Sequence, residues 1–231
     1  MDRALVRVRD VAMSSEPFVF CGCVDLREML PYEARDVREL LDQLGRVPVE
    51  SLFCHTAAAV LHRSALPMGY PNDFAHWTGV EMRDQHLAER LAAIDPFESP
   101  SLEHMRAEIV TTISDHLRHF PSPPPGASTE PFRFSRIHLV PVPTGHQART
   151  LREFRDAMAD IDVSALFFHL IEARYRPGPG RSDFAEWVAS ALDRPDVAER
   201  LAGIDPYGGS LERIRDRHLT MLTAALDEEG R

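Results

Sequence analysis

From Pro17 the chain alternates and then turns helical. Phe18 and Phe20 flank Val19, a spacing of two that puts both rings on one side of an extended segment, as in a half-buried strand. Apolar Val37, Leu40, Leu41 and Leu44 then recur at helical spacing and predict a first helix. A break follows from Gly45 to Pro48, and Pro48 suits the first turn of a second helix, roughly Val49 to Ser64. Beyond the proline- and glycine-rich stretch from Pro67 to Pro71, Asn72-Asp73-Phe74-Ala75-His76-Trp77 reads as a helix start, because Asn and Asp accept hydrogen bonds from first-turn amides. A short fourth helix ends at Asp95-Pro96, where proline disfavours helical geometry in the residue before it. A long closing helix opens at Ser101-Leu102-Glu103. Before Pro17, Leu5, Val6, Val8 and Val11 among charges fit either a short strand or a lead-in.

The pattern then returns. Pro17-Phe18-Val19-Phe20 corresponds to Pro131-Phe132-Arg133-Phe134, 114 positions on, and the register holds without a gap through Arg38/Arg152, Glu39/Glu153, Leu52/Leu166, Phe53/Phe167 and His55/His169. Val140-Pro141-Val142-Pro143 forces extended or turn geometry in the second copy. After the second helix, Val163 to Arg176 in that copy, the shift falls to 110. It aligns Asn72-Asp73-Phe74 with Ser182-Asp183-Phe184 and Ile94-Asp95-Pro96-Phe97 with Ile204-Asp205-Pro206-Tyr207. Phe120 to Thr129 has the composition of a semi-rigid linker. The chain therefore reads as a tandem duplication: a first helical unit over 1–119, a proline-rich linker over 120–130 and a second unit over 131–231. Run lengths and period predict a mainly α protein of the all-α class, each unit a bundle of about five helices behind a short extended Phe-x-Phe segment. The two units are expected to pack as a pseudo-dimer about a two-fold axis. Whether the Phe-x-Phe segments pair as strands is left open by the pattern.

Composition narrows the function classes. Apolar residues make up 44% and charged residues 27% of the 231, the balance of an ordinary soluble globular protein. The net charge of −10 argues against general nucleic-acid binding but leaves room for local basic patches. All 26 basic residues are arginine, so no lysine is present to form a Schiff base. Three cysteines, Cys21, Cys23 and Cys54, do not make a disulfide framework. No apolar run is long enough to cross a bilayer, and the N-terminal residues lack the apolar segment of a signal peptide, so a cytoplasmic location is expected.

The polar positions common to both copies are the candidates for function. His55, repeated as His169, lies about 100° from the centre of its apolar stripe, at the edge of the core, where one nitrogen can meet a carboxylate, a carbonyl or a ligand. With them go Asp73 and Asp183, Glu103 and Glu212, and Arg106 and Arg215 as binding candidates. No catalytic residue is assigned, since there is no Gly-x-Ser-x-Gly, phosphate-cradling glycine loop or nucleotide fingerprint. No metal or cofactor is expected. Cys54 becomes Phe168, His62 becomes Arg176, and the helically spaced pairs His104/Glu108 and His116/His119 have no counterparts in the second copy. His218 takes the place of Ile109 on the closing helix and reads as a core histidine.

Phe-x-Phe, the aromatic helix ending in His, Asn-Asp-Phe-Ala-x-Trp and Ile-Asp-Pro-Phe or Ile-Asp-Pro-Tyr together resemble an uncharacterised bacterial and archaeal family of unknown function, over nearly the whole chain from residue 17. The resemblance implies a domain assignment and no mechanism. The residues favour a non-enzymatic binding or regulatory module for an unknown protein or small-molecule partner. The alternative is an enzyme or cofactor carrier that uses the repeated histidines as base or ligand.

Overall fold

The computed structural model describes residues 16–62, 69–120, 130–176, 181–206 and 210–229. The lead-in before Glu16 and most of the linker lie outside them.

Two strands of 17 residues, β1 (Phe18–Ala34) and β2 (Phe132–Ala148), pair antiparallel in a two-stranded sheet. The all-α expectation is thereby corrected, and the extended segments are far longer than the Phe-x-Phe motifs that open them. Alternation is visible only where one face is buried. The middle of the ribbon, with Val24 and Leu26 more than half exposed, carries no such imprint. The prolines of β2 fit the ladder for a related reason. Residues of one parity turn their N–H groups away from the partner strand. The Ser135 amide points outward to a side chain, and Pro141 and Pro143 share its parity, so they remove donors from the open edge only.

The Phe-x-Phe motifs do not pair with each other. Phe18 lies opposite Ala148 and Ala34 opposite Phe132, with the ladder's middle at Asp25 opposite Leu139. Register shifts fall near both ends, between Val19 and Cys21 and between Met29 and Glu33. At the first, Gly145 adopts a φ of +83°, a backbone state that glycine reaches without strain.

Helices α1 (Val37–Leu44), α2 (Glu50–His55), α3 (Ala59–His62), α4 (Asp73–Val80), α5 (Gln85–Ala92) and α6 (Leu102–His119) follow β1. After β2 come α7 (Leu151–Asp160), α8 (Val163–Leu170), a 3-10 turn (Glu172–Tyr175), α9 (Asp183–Ala191), α10 (Pro195–Ala202) and α11 (Leu211–Glu229). Caps set many of the starts: Asp36, Asn72, Ser101, Thr150 and Ser182 accept first-turn amides. Glu39 and Glu153 reach back to the amides of Arg35 and Arg149, closing the first turns of α1 and α7 reciprocally. The predicted second helix stops early in the first half, right after His55. There the Thr56 hydroxyl donates to the Leu52 carbonyl and competes for a helical acceptor.

Two apolar cores result, each assembled from both halves of the chain. Phe18 and Phe20, the first residues of β1, pack among Phe154, Phe184 and Trp187, with ring centroids 5.2–5.9 Å apart. Phe132 and Phe134, the first residues of β2, pack on Phe74 and Trp77 of the first half. Each strand begins in the core of the other half and crosses over to deliver its own first helix.

Candidate functional site

The repeated histidines stand where the crossed strands enter these cores. His55 ends α2 and His169 is next to last in α8, and only 3% and 4% of their surfaces are exposed. Nδ1 of His55 lies 2.9 Å from Asp73 Oδ2, while Nε2 accepts the amide of Ser135 at 2.9 Å. Nδ1 of His169 lies 2.7 Å from Asp183 Oδ2, and Nε2 accepts the amide of Cys21 at 2.9 Å. Cys21 and Ser135 are themselves 114 positions apart, so one arrangement is built twice.

A backbone amide can only donate, so each Nε2 must be the bare acceptor and each ring proton must sit on Nδ1, donating to the carboxylate. Both rings are therefore neutral, and both nitrogens are used by protein. In the first half Ser51 completes the clamp, its hydroxyl donating to the Ser135 carbonyl at 2.8 Å. Helix α2 thus satisfies both outward backbone groups of one β2 residue, as a neighbouring strand would. The aromatic rings around each imidazole, Phe132 at 4.8 Å for His55 and Phe18 at 4.9 Å for His169, keep water from these bonds.

Asp73 and Asp183 are free for this task because the capping is done one residue earlier, by Asn72 and Ser182. The two carboxylates differ in company. Burial pushes the Asp183 carboxyl up, but the hydrogen bond from His169 and the charge of Arg176, 2.9 Å away, outweigh it and hold the group below its ordinary value. Arg176 also lies over the Phe168 ring at 4.1 Å. Asp73 has no such arginine among the described residues.

The remaining candidates form a separate set. Arg106 pairs with Glu103 at 3.0 Å and donates to the carbonyls of Leu44 and Val47; Arg215 pairs with Glu212 at 3.0 Å and donates to the carbonyl of Ile161. Val47 and Ile161 hold the same place in the two halves, so each arginine fastens the long closing helix to the turn that leads into α2 or α8. Hydrogen bonds join histidine to aspartate and arginine to glutamate, and none links the two sets among the described residues.

Among the described residues no three His, Cys, Asp or Glu side chains are placed to hold a metal ion. His116 lies 2.7 Å from Asp84 and stacks on Phe120, tying the start of α5 to the end of α6. His218 is 1% exposed; Nδ1–H donates to the Ile214 carbonyl at 2.8 Å, Nε2 has no partner among the described residues, and burial pushes the imidazole below its ordinary value. Burial also raises the thiols of Cys23 and Cys54 to about 11, which keeps them protonated and unreactive at neutral pH.

Ser51, Cys21, Ser135 and Tyr175 were not legible as site residues. Tyr175 donates to the Pro96 carbonyl at 2.8 Å, bringing the second half onto the Ile-Asp-Pro motif of the first. For Cys21 and Ser135 a signal existed, since both follow the Phe-x-Phe motif directly. Their side-chain identities differ because the backbone is what the histidine holds.

The sequence profile of a family of unknown function (DUF5752) matches residues 15–223. The structure of OrfY from Thermoproteus tenax is similar to this chain with a TM-score of 0.79 and 28% sequence identity, covering 94% of this chain and 99% of that one. A comparison with curated proteins finds no match. No helix among the described residues is long and apolar enough to cross a membrane.

Proposed function

The chain belongs to this family of unknown function, and from that premise we propose that it is a non-enzymatic binding module, a tandem duplication packed as an internal pseudo-dimer, that presents the outward face of its two-stranded ribbon to a partner protein. One observation carries the reading. Val24 lies opposite Val140, Val142 is two residues along one strand and Leu26 two along the other, and these four side chains are 44–55% exposed on one face. A contiguous apolar patch of this kind on a ribbon held rigid from both ends suits docking better than chemistry. Glu28, bonded to Arg136 and His138 at 2.7 and 3.0 Å, borders the patch with charge. The partner that fits has an apolar centre and a polar rim.

In this reading the paired histidines are latches that fix the ribbon. A base or ligand role would need a free ring nitrogen, and both are engaged in each ring. The enzyme or cofactor-carrier alternative therefore requires the strand ends to leave first.

Replacement of Val24 and Val140 together by Lys tests the proposal. Both sites are exposed, so the melting temperature should move little. Proteins retained by the wild-type chain are identified, purified and titrated against both forms. The account expects the double variant to lose at least tenfold in affinity, about 1.4 kcal/mol. Equal affinity for both forms would contradict it.

A further inference from the structure

We propose that the groove between α10 and α11 binds the phosphate group of a small organic phosphomonoester. This site lies on the second half alone and does not depend on the ribbon reading.

Arg213 and Arg217 stand one turn apart on α11, with Arg200 of α10 on the same groove; Met221 and Ala224 are its apolar lining, and Asp216 lines it with them. Three arginines and one acid, Asp216, line this open groove, a local excess of positive charge in a chain whose net charge is −10. The ion pairs nearby go to Arg194, Arg200 and Arg215. Arg213 and Arg217 have no carboxylate partner among the described residues. Like charges four residues apart on a helix repel one another, and an anion placed between them removes that repulsion. The pair of Arg200 with Glu228, 3.0 Å long and with the acid 59% exposed, is of the weak surface kind that a ligand can redirect.

The chemistry of the groove selects the ligand class. Guanidinium forks bind phosphate oxygens through paired, charge-assisted hydrogen bonds, and three of them match a tetrahedral dianion better than a flat monocarboxylate. The groove, open to solvent and about 480 Å³ in volume, is far larger than an inorganic phosphate, and its Met221 and Ala224 lining favours a carbon body on the ligand. In the register that aligns Ser101 with Ser210, His104, Glu108 and Asp115 replace Arg213, Arg217 and Ala224. The first half therefore carries a histidine and two acids where the second carries the anion site.

The test is a calorimetric titration of the full chain at constant ionic strength with phenyl phosphate, with inorganic phosphate and with phenol. Phenyl phosphate should bind with a dissociation constant on the order of 1 mM or tighter, inorganic phosphate more weakly, and phenol not measurably. The Arg213→Ala/Arg217→Ala variant should lose at least tenfold in phenyl phosphate affinity with an unchanged circular-dichroism melt. Equal binding by that variant places the anion elsewhere and overturns the proposal. Inorganic phosphate binding as tightly as phenyl phosphate overturns the organic-ligand assignment. Binding of a polyanion such as a short single-stranded DNA, with none of phenyl phosphate, overturns the small-molecule class.

Discussion

His55 and His218 are buried to nearly the same degree, 3% and 1% exposed, and stand in opposite electrostatic situations. The first has a partner on each nitrogen; the second has one on Nδ1 and, among the described residues, none on Nε2. An unsatisfied buried nitrogen costs about 1–3 kcal/mol of desolvation. The first half already carries Ile109 at the matching place on its closing helix. His218→Ile should therefore raise the melting temperature. It should also change the pH response. Burial lowers the pKa of His218 from 6.5 in the folded chain, so as pH drops the unfolded chain takes up a proton there first. The unfolded state then binds more protons, so stability from this residue falls as pH drops through 6.5. Thermal melts at pH 8 and pH 5.5 should show a smaller acid loss in the variant than in the wild type. An equal loss would remove His218 as its source.

At the scale of elements, the ribbon depends on two irregularities as much as on its ladder. Gly145 at the β2 register shift has a φ of +83° and open space beside it, so a side chain there meets strain and no clash. Gly145→Val should destabilise by about 1–2 kcal/mol, seen as a lowered urea midpoint with an unchanged slope. A midpoint equal to the wild type's would show that the shift does not constrain the strand. Helix positions were readable from the chain because periodicity and caps are local: the Leu40 and Leu44 stripe, the Asn72 and Ser182 caps and the Asp-Pro stops all act within one or two turns. Strand length was not readable, since Val24 to Met29 face solvent in part and carry no alternation. Val140-Pro141-Val142-Pro143 fitted extended or turn geometry equally, and only the parity of the edge shows the proline nitrogens pointing outward within a strand. Thr56 broke a helix through a side-chain bond to Leu52 that no periodicity anticipates.

Across the whole molecule, the crossing of β1 and β2 makes each core a joint product of both halves. Sequence patterns say which residues are apolar and not which apolar partner they meet; Phe18 and Phe132 are interchangeable to a pattern, and only the antiparallel ladder decides that each fills the distant core. The same holds for the candidates. The sequence grouped His55 with Asp73, Glu103 and Arg106 as candidates, but spacing does not show which of them it meets, nor that it meets the amide of Ser135, 80 positions away. The central claim is that the two histidines hold the strands in this crossed state. It is tested most directly by amide hydrogen exchange at Ser135 and Cys21 in the wild type, His55→Ala and His55→Gln. Glutamine can accept from the amide through its oxygen and donate to Asp73 through its nitrogen, whereas alanine can do neither. The account predicts both amides strongly protected in the wild type, Ser135 losing at least about tenfold of its protection in His55→Ala while Cys21 loses less, and much of that loss restored in His55→Gln. Fast exchange of Ser135 in the wild type, or unchanged protection in His55→Ala, would contradict it.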